Sequence, residues 1–280
     1  MKLTPRYDGP TILTFTEPAG DVSIPLLRQR RRFARVLEGL DAGQWAAPSR
    51  CEAWTVQDVV AHLSTVDGYW ALSAGAALRG EPTRYLDGFD PVTVPADMVD
   101  AKRDQSPAEV LDAYRAGVEA FADVVTGLDE AQWAMPAEAP PGHVPLHAMV
   151  RHALWDAWIH ERDALLPLGL AQDEERDEVQ ASLEYAAAIG PSFLALGSSS
   201  RRGALAVVGT DPDVVVVVEL DETVTVRGGP VPDGAVVLEG PSVTLVDALS
   251  LRAPFPRPVA DAEQWMLAGL AVAFDQLPAG

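Results

Sequence analysis

The chain has 280 residues, 48% of them hydrophobic and 22% charged, enough to bury one large core or two smaller ones, and two domains are expected. With 41 acidic against 21 basic residues the formal net charge is −20, a balance that favours solubility and argues against a nucleic-acid binder. No stretch reaches the roughly 18 consecutive apolar residues of a membrane span, MKLTPRYDGP lacks the apolar centre of a secretory signal, and the single cysteine, Cys51, excludes an intrachain disulfide and a thiolate-rich zinc site, so the expected location is the cytoplasm.

Residues 1–22 are rich in Pro, Gly and Thr, with one β-like run at residues 11–15, and are expected to form an N-terminal arm or small hairpin. Over residues 24–40 the apolar Leu26, Leu27, Phe33, Val36, Leu37 and Leu40 recur at helical spacing, and the arginines between Arg28 and Arg32 are expected on a solvated helix face. A second helix opens at Thr55, whose hydroxyl is placed to cap the first turn while Asp58 meets the positive helix end. It continues through VVAHLSTVDGYWALSAGAAL. Residues 80–100 hold Pro82, Pro91 and Pro95 and look looser; Ser106-Pro107-Ala108-Glu109 then forms a capping box that starts a third helix, ending near Thr126. The fourth helix begins near Pro145 and ends near Leu166, before Pro167 and Gly169. Four such helices predict an antiparallel bundle over residues 23–170.

An internal repeat supports the bundle: residues 39–48 and 127–136 agree at seven of ten positions, and each copy lies between one long helix and another that carries histidine. Two helix-loop-helix halves of this kind bury their apolar faces against each other. Beyond Gly169, AQDEERDEVQ is a linker or helix start, and LEYAAAIGPSFLAL continues in helical register. Valine-rich runs at residues 204–208, 214–220, 224–226 and 235–238 predict strands, and residues 242–251 and 261–277 predict helices, so residues 171–280 are expected to form a small α+β domain.

His62 lies amid Val59, Val60, Leu63 and Val66, and taken alone it fits a buried core histidine. His152, Asp156 and His160 follow at intervals of four, which stacks them on one face of the fourth helix. Burying them beside Leu154, Trp155, Trp158 and Ile159 is costly unless they pair or hold a cation; an ion pair of Asp156 with Arg151 or Arg162 is the plain structural alternative. Two histidines and one carboxylate leave a zinc ion with an open fourth position, as in catalytic sites.

The segments at residues 49–63, SRCEAWTVQDVVAHL, and 155–163, WDAWIHERD, resemble the mycothiol-dependent maleylpyruvate isomerases, within the wider superfamily of DinB-like metal-binding bundles, and the resemblance spans residues 24–168. It implies a four-helix bundle of DinB-like, up-down-down-up order, holding one divalent metal, zinc, through His62, Asp156 and His160; the family's carboxylate is glutamate where this chain has Asp156. His152 competes as a ligand or stands just behind the ligands, while His143 and His147 are expected as capping or surface groups. The C-terminal α+β region is similar to the sterol-carrier folds often attached to such bundles.

The resemblance further implies that the metal binds the thiol of mycothiol, or of a related low-molecular-weight thiol, as thiolate and presents it to a small electrophilic substrate, for isomerisation or S-transfer. Arg79, Arg84 and Arg151 lie near the ends of the metal-bearing helices, and Arg84 is the candidate for gripping an anionic cofactor or substrate. Two alternatives remain: a non-enzymatic protein carrying an apolar ligand or lipid in residues 180–280, and a hydrolase using zinc-bound hydroxide. Neither nucleic acid nor membrane is an expected partner, and the chain is expected as a monomer or homodimer.

Overall fold

A computed structural model describes residues 2–16, 20–170, 172–197 and 201–274. After a short strand β1 (Leu13–Phe15), the N-terminal half is helix-rich: α1 (Ser23–Glu38), α2 (Ala42–Trp45), α3 (Val56–Leu78), α4 (Thr93–Asp100), α5 (Pro107–Val125) and α6 (Glu130–Trp133). A hairpin of β2 (Pro136–Ala139) and β3 (Gly142–Pro145) leads into α7 (Leu146–Leu165) and a 3-10 turn at Leu166–Leu168 that ends at left-handed Gly169. The rest of the chain holds α8 (Arg176–Leu196), β4 (Gly203–Thr210), β5 (Val214–Leu220), β6 (Val224–Arg227), β7 (Val236–Pro241), α9 (Ser242–Leu249), α10 (Asp261–Leu267) and α11 (Gly269–Ala273).

The capping residues do what their chemistry predicts. Thr55 and Asp58 exchange side-chain and backbone bonds at the start of α3, and Ser106 and Glu109 do the same for α5, with Pro107 in the first turn. The sequence repeat is also a structural one: Asp41 with Gln44 and Asp129 with Gln132 form equivalent capping boxes on α2 and α6, and each short helix buries its tryptophan, Trp45 or Trp133. The two copies therefore fasten equivalent corners between long helices.

Helix α7 is the centre of the molecule, packed by α1, α3, α8 and β2. Of its 20 residues all but His147 and Asp156 are buried. Helix α3 crosses it antiparallel, since His62 meets His160 while Trp70, farther along α3, meets His152 near the start of α7. One core cluster runs from Trp70, Phe121 and Trp158 through to Val207, Val218 and Leu245, so helices and sheet share it; a second gathers Phe33, Val56, Val59, Leu63, Tyr114 and Leu165.

The five-stranded sheet has the order β1-β6-β5-β4-β7, parallel at both outer pairings and antiparallel between. The strand expected in the N-terminal arm thus pairs more than 200 residues away, with Leu13 opposite Val224 and Phe15 opposite Val226. The rest of the arm reaches the helical side, where Arg6 bridges Gly142 and Leu3 bonds Phe89.

Several expectations need correction. Residues 80–100 contain α4, where Pro95 falls in the first turn and costs no helical hydrogen bond. The approach to α7 is a hairpin. The helix expected over residues 261–277 is interrupted at Ala268, and residues 275–277 lie outside the described ones, as do residues 17–19 of the arm. The basic run is not a solvated face: Arg30 and Arg32 are buried and paired with Asp67 and with Glu161 and Glu178, acids supplied by α3, α7 and α8, while Arg28 and Arg31 remain nearer solvent. Among the described residues, no helix is long and apolar enough to cross a membrane.

Candidate metal centre

A helix buried on almost every side must neutralise each charge it carries. Along α7, Arg151 pairs with Glu184, Glu161 with Arg32, Arg162 with Glu174 and Asp247, and Asp163 with Arg50 and Arg252. Asp156 is the exception. The pairing with Arg151 or Arg162 open to it in sequence does not form, and its carboxylate instead faces two imidazoles, with Oδ2 3.8 Å from His62 Nε2 and Oδ1 3.7 Å from His160 Nε2.

Those separations are too long for hydrogen bonds, yet the three donor atoms all lie within 4.8 Å of one another. Oxygen and nitrogen ligands about 2.1 Å from a tetrahedral zinc stand about 3.4 Å apart, so small side-chain adjustments bring this set to coordination distance. The residues fit a divalent metal. The Asp156 side chain keeps 20% of its exposure, which leaves the centre open to a further ligand.

The electrostatics suit the same role. Burial would push the Asp156 carboxyl up, but His62 and His160 outweigh it and hold it well below the usual carboxylate range. Burial keeps His62 low and therefore neutral. His160 goes the other way: burial opposes its charge, but Asp163, Cys51 and Asp156 raise it to about 10, so a metal must displace a proton from it.

The loop before α3 builds the wall of the site. Ser49 Oγ accepts from the Cys51 amide and donates to the Trp54 carbonyl, Ala53 takes a left-handed turn at φ 65°, and the Arg50 amide bonds the Asp163 carbonyl. Trp54 is thereby set beside both candidate ligands, its ring centroid 5.3 Å from His62 and 6.3 Å from His160. Behind His160, Nδ1 lies 3.1 Å from Asp163 Oδ2, and Cys51 Sγ lies 3.1 Å from the same oxygen. Cys51, His160 and Asp163 also form a possible ligand group, but Arg252 already donates to Asp163 at 3.0 Å and approaches Cys51 Sγ at 3.6 Å, so a guanidinium supplies the cation there.

The other sequence candidates lie elsewhere. His152 is ringed by Trp70, Trp155 and Tyr185, its Nδ1 has no hydrogen-bond partner among the described residues, and burial, opposed by Asp156 and aided by His62, lowers it to about 4; it does not join either ligand group. Arg84 pairs with Asp8 and stacks over Tyr7. It lies past the far end of α3, which at 1.5 Å per residue extends about 25 Å beyond His62. Arg79 caps that same end, and Arg151 is engaged with Glu184 and His147. His143 bonds the Thr83 carbonyl and stacks on Tyr7, while His147 packs against Phe15. Sequence reasoning passed over Asp163, although its i,i+3 spacing from His160 was a usable signal; nothing local marks Arg252.

A helix-rich N-terminal half followed by a sheet-rich C-terminal part is an architecture found among known proteins. Residues 26–165, half of the chain, match the family described as the mycothiol maleylpyruvate isomerase N-terminal domain, and the chain belongs to that family. Two solved structures share its fold: the mycothiol-dependent maleylpyruvate isomerase, and a histidine-to-alanine variant of it, each with a TM-score of 0.59, 16% identity and coverage of 85% of this chain and 90% of the other. No curated protein sequence matches the chain.

Proposed function

We propose that the chain is a divalent-metal enzyme of the thiol-dependent isomerase kind, with zinc held by His62, Asp156 and His160 and mycothiol or a related thiol as cofactor. The observation that carries this reading is Asp156, the one charged group of α7 that faces two imidazoles rather than a guanidinium or carboxylate partner. When bound, the metal supplies the charge that keeps a coordinated thiol as thiolate at neutral pH, the nucleophile common to isomerisation and S-transfer. Two neutral imidazoles and one carboxylate leave the dication with net positive charge, which favours an anionic fourth ligand. Trp54 shields the histidines on the loop side, and Asp156 keeps the remaining side open.

In this reading α1, α3, α5 and α7 are the four helices of a DinB-like, up-down-down-up bundle, residues 171–280 form a sterol-carrier-like α+β domain behind an arm of residues 1–22, and the protein works in the cytoplasm on a small electrophile such as maleylpyruvate. The apolar-carrier alternative gains no support from the cleft lined by Ala186, Leu205, Met266 and Leu270, of about 10 Å³, or from the cavity of about 60 Å³ beside Val216 and Val226, whose lining includes the charged Arg151, Glu184 and Arg227.

The test is metal content by elemental mass spectrometry on purified protein, beside His62→Ala and His160→Ala variants checked for folding by circular dichroism. Near-stoichiometric zinc in the native chain, lost in the folded variants, is expected. No stoichiometric metal after zinc supplementation would sink the reading. Turnover of an ester without added thiol would move it to the hydrolase.

A further inference from the structure

Asp163 is fully buried, and among the described residues every side chain that hydrogen-bonds its carboxylate is a donor. Its Oδ1 accepts from Arg50 Nε at 2.9 Å and Arg252 Nε at 3.1 Å; its Oδ2 accepts from Arg252 Nη2 at 3.0 Å, from the Cys51 thiol at 3.1 Å and from His160 Nδ1 at 3.1 Å. Two guanidiniums keep this carboxylate ionised, and an ionised carboxylate only accepts hydrogen bonds. His160 must therefore carry a proton on Nδ1, so that the second proton, the one a metal would displace, sits on Nε2, the nitrogen that faces Asp156 and His62.

We propose that Asp163 is the positioning residue of the metal centre, fixing the tautomer and ring orientation of His160. The inference rests on His160 being a ligand, and it extends the site past the matched family segment: Arg252 follows α9, and Asp247 of α9 holds Arg50 and Arg162. The C-terminal part thus sets the carboxylate that sets the histidine.

Asp163→Asn is the discriminating change because the amide keeps the shape and reverses one hydrogen-bonding edge. If its NH₂ faces His160, Nδ1 becomes the acceptor and the proton moves to Nε2, the atom needed for the metal. If it faces Arg50 and Arg252, two donors oppose a third and the guanidiniums withdraw. Either orientation disorders the ligand.

The measurement is zinc affinity of the full-length, metal-stripped chain by competition with a chromophoric chelator, native against Asp163→Asn, with circular dichroism confirming the fold. Loss of such an outer partner typically weakens metal binding 10–100-fold, the effect expected here. The zinc-loaded native protein supplies a second readout that needs no variant: side-chain ¹⁵N NMR should find His160 metallated at Nε2 and protonated at Nδ1. Unchanged affinity in a folded Asp163→Asn chain, or ligation through Nδ1, overturns the role of Asp163 and leaves the metal reading standing. Failure of the native chain to bind zinc overturns both.

Discussion

Replacing Asp67 by alanine removes the carboxylate that holds Arg30 at the junction of α1, α3 and α7. Both side chains are fully buried; Arg30 Nε and Nη2 reach Asp67 Oδ1 at 2.9 and 2.6 Å, and Nη2 also reaches the Ala153 carbonyl at 3.1 Å. Burial pushes the Asp67 carboxyl up and Arg30 pulls it back, whereas the guanidinium keeps its charge throughout. Without Asp67 that charge stays in the core with, among the described residues, the neutral Ala153 carbonyl as its remaining hydrogen-bond partner. Breaking a buried pair from one side costs about 3–5 kcal/mol, a large fraction of the roughly 5–15 kcal/mol that holds a domain folded. Urea unfolding of metal-free protein should register that loss for Asp67→Ala, while the Arg30→Met/Asp67→Leu double variant should recover most of it, because two apolar side chains leave no charge unpaired. A loss below about 1 kcal/mol in the single variant, or a double variant as unstable as the single one, would refute the argument that this pair is the constraint at the helix junction.

Acid should weaken the fold through His147, which burial first and Arg151 second lower to about 4. Its folded value lies below the unfolded one near 6.5, so the native state binds fewer protons: the contribution is complete above about 6.5, falls as pH drops toward 4, and has a ceiling of about 3 kcal/mol. A His147→Gln chain should show a flatter stability profile between pH 7 and 4, and an equally steep one would remove His147 as the cause. At Ala53, whose φ of 65° is left-handed, glycine relieves strain beside the site; Ala53→Gly should stabilise by about 0.5–1 kcal/mol in urea unfolding with zinc stoichiometry unchanged, and a destabilised chain would argue against strain at that turn.

The parts legible in sequence were those fixed by local chemistry. Thr55 with Asp58 and Ser106-Pro107 with Glu109 mark helix starts because each satisfies free amides within one turn, and the repeat around Trp45 and Trp133 predicts its own recurrence in space. The β2–β3 hairpin escaped because its prolines and alanines have poor strand propensity and its pairing is enforced by neighbours, among them Arg6 beside Gly142. The pairing of β1 with β6 joins segments more than 200 residues apart, a closure no local pattern encodes.

The candidate site divides along the same line. The spacing of four between Asp156 and His160 is a property of one helix and is visible in the sequence; their meeting with His62 depends on the antiparallel crossing of α3 and α7. The basic run shows why sequence alone could not rank the candidates. Arg30 and Arg32 have the composition of a solvated face, and only the position of Asp67, Glu161 and Glu178 reveals that they neutralise buried acids. Once those partners are assigned, the remaining charges on α7 can be matched one by one, and elimination becomes a physical argument: in a helix with almost no exposed surface, Asp156 is the carboxylate that no guanidinium reaches, and the two imidazoles facing it just beyond hydrogen-bond distance are the groups with which it could hold a metal. The same reasoning separates the two acidic groups beside His160, since Asp163 already has its cations in Arg50 and Arg252 and faces the Nδ1 edge of the imidazole, whereas Asp156 has no guanidinium partner and is the carboxylate that would share a metal with His160 in the proposed site.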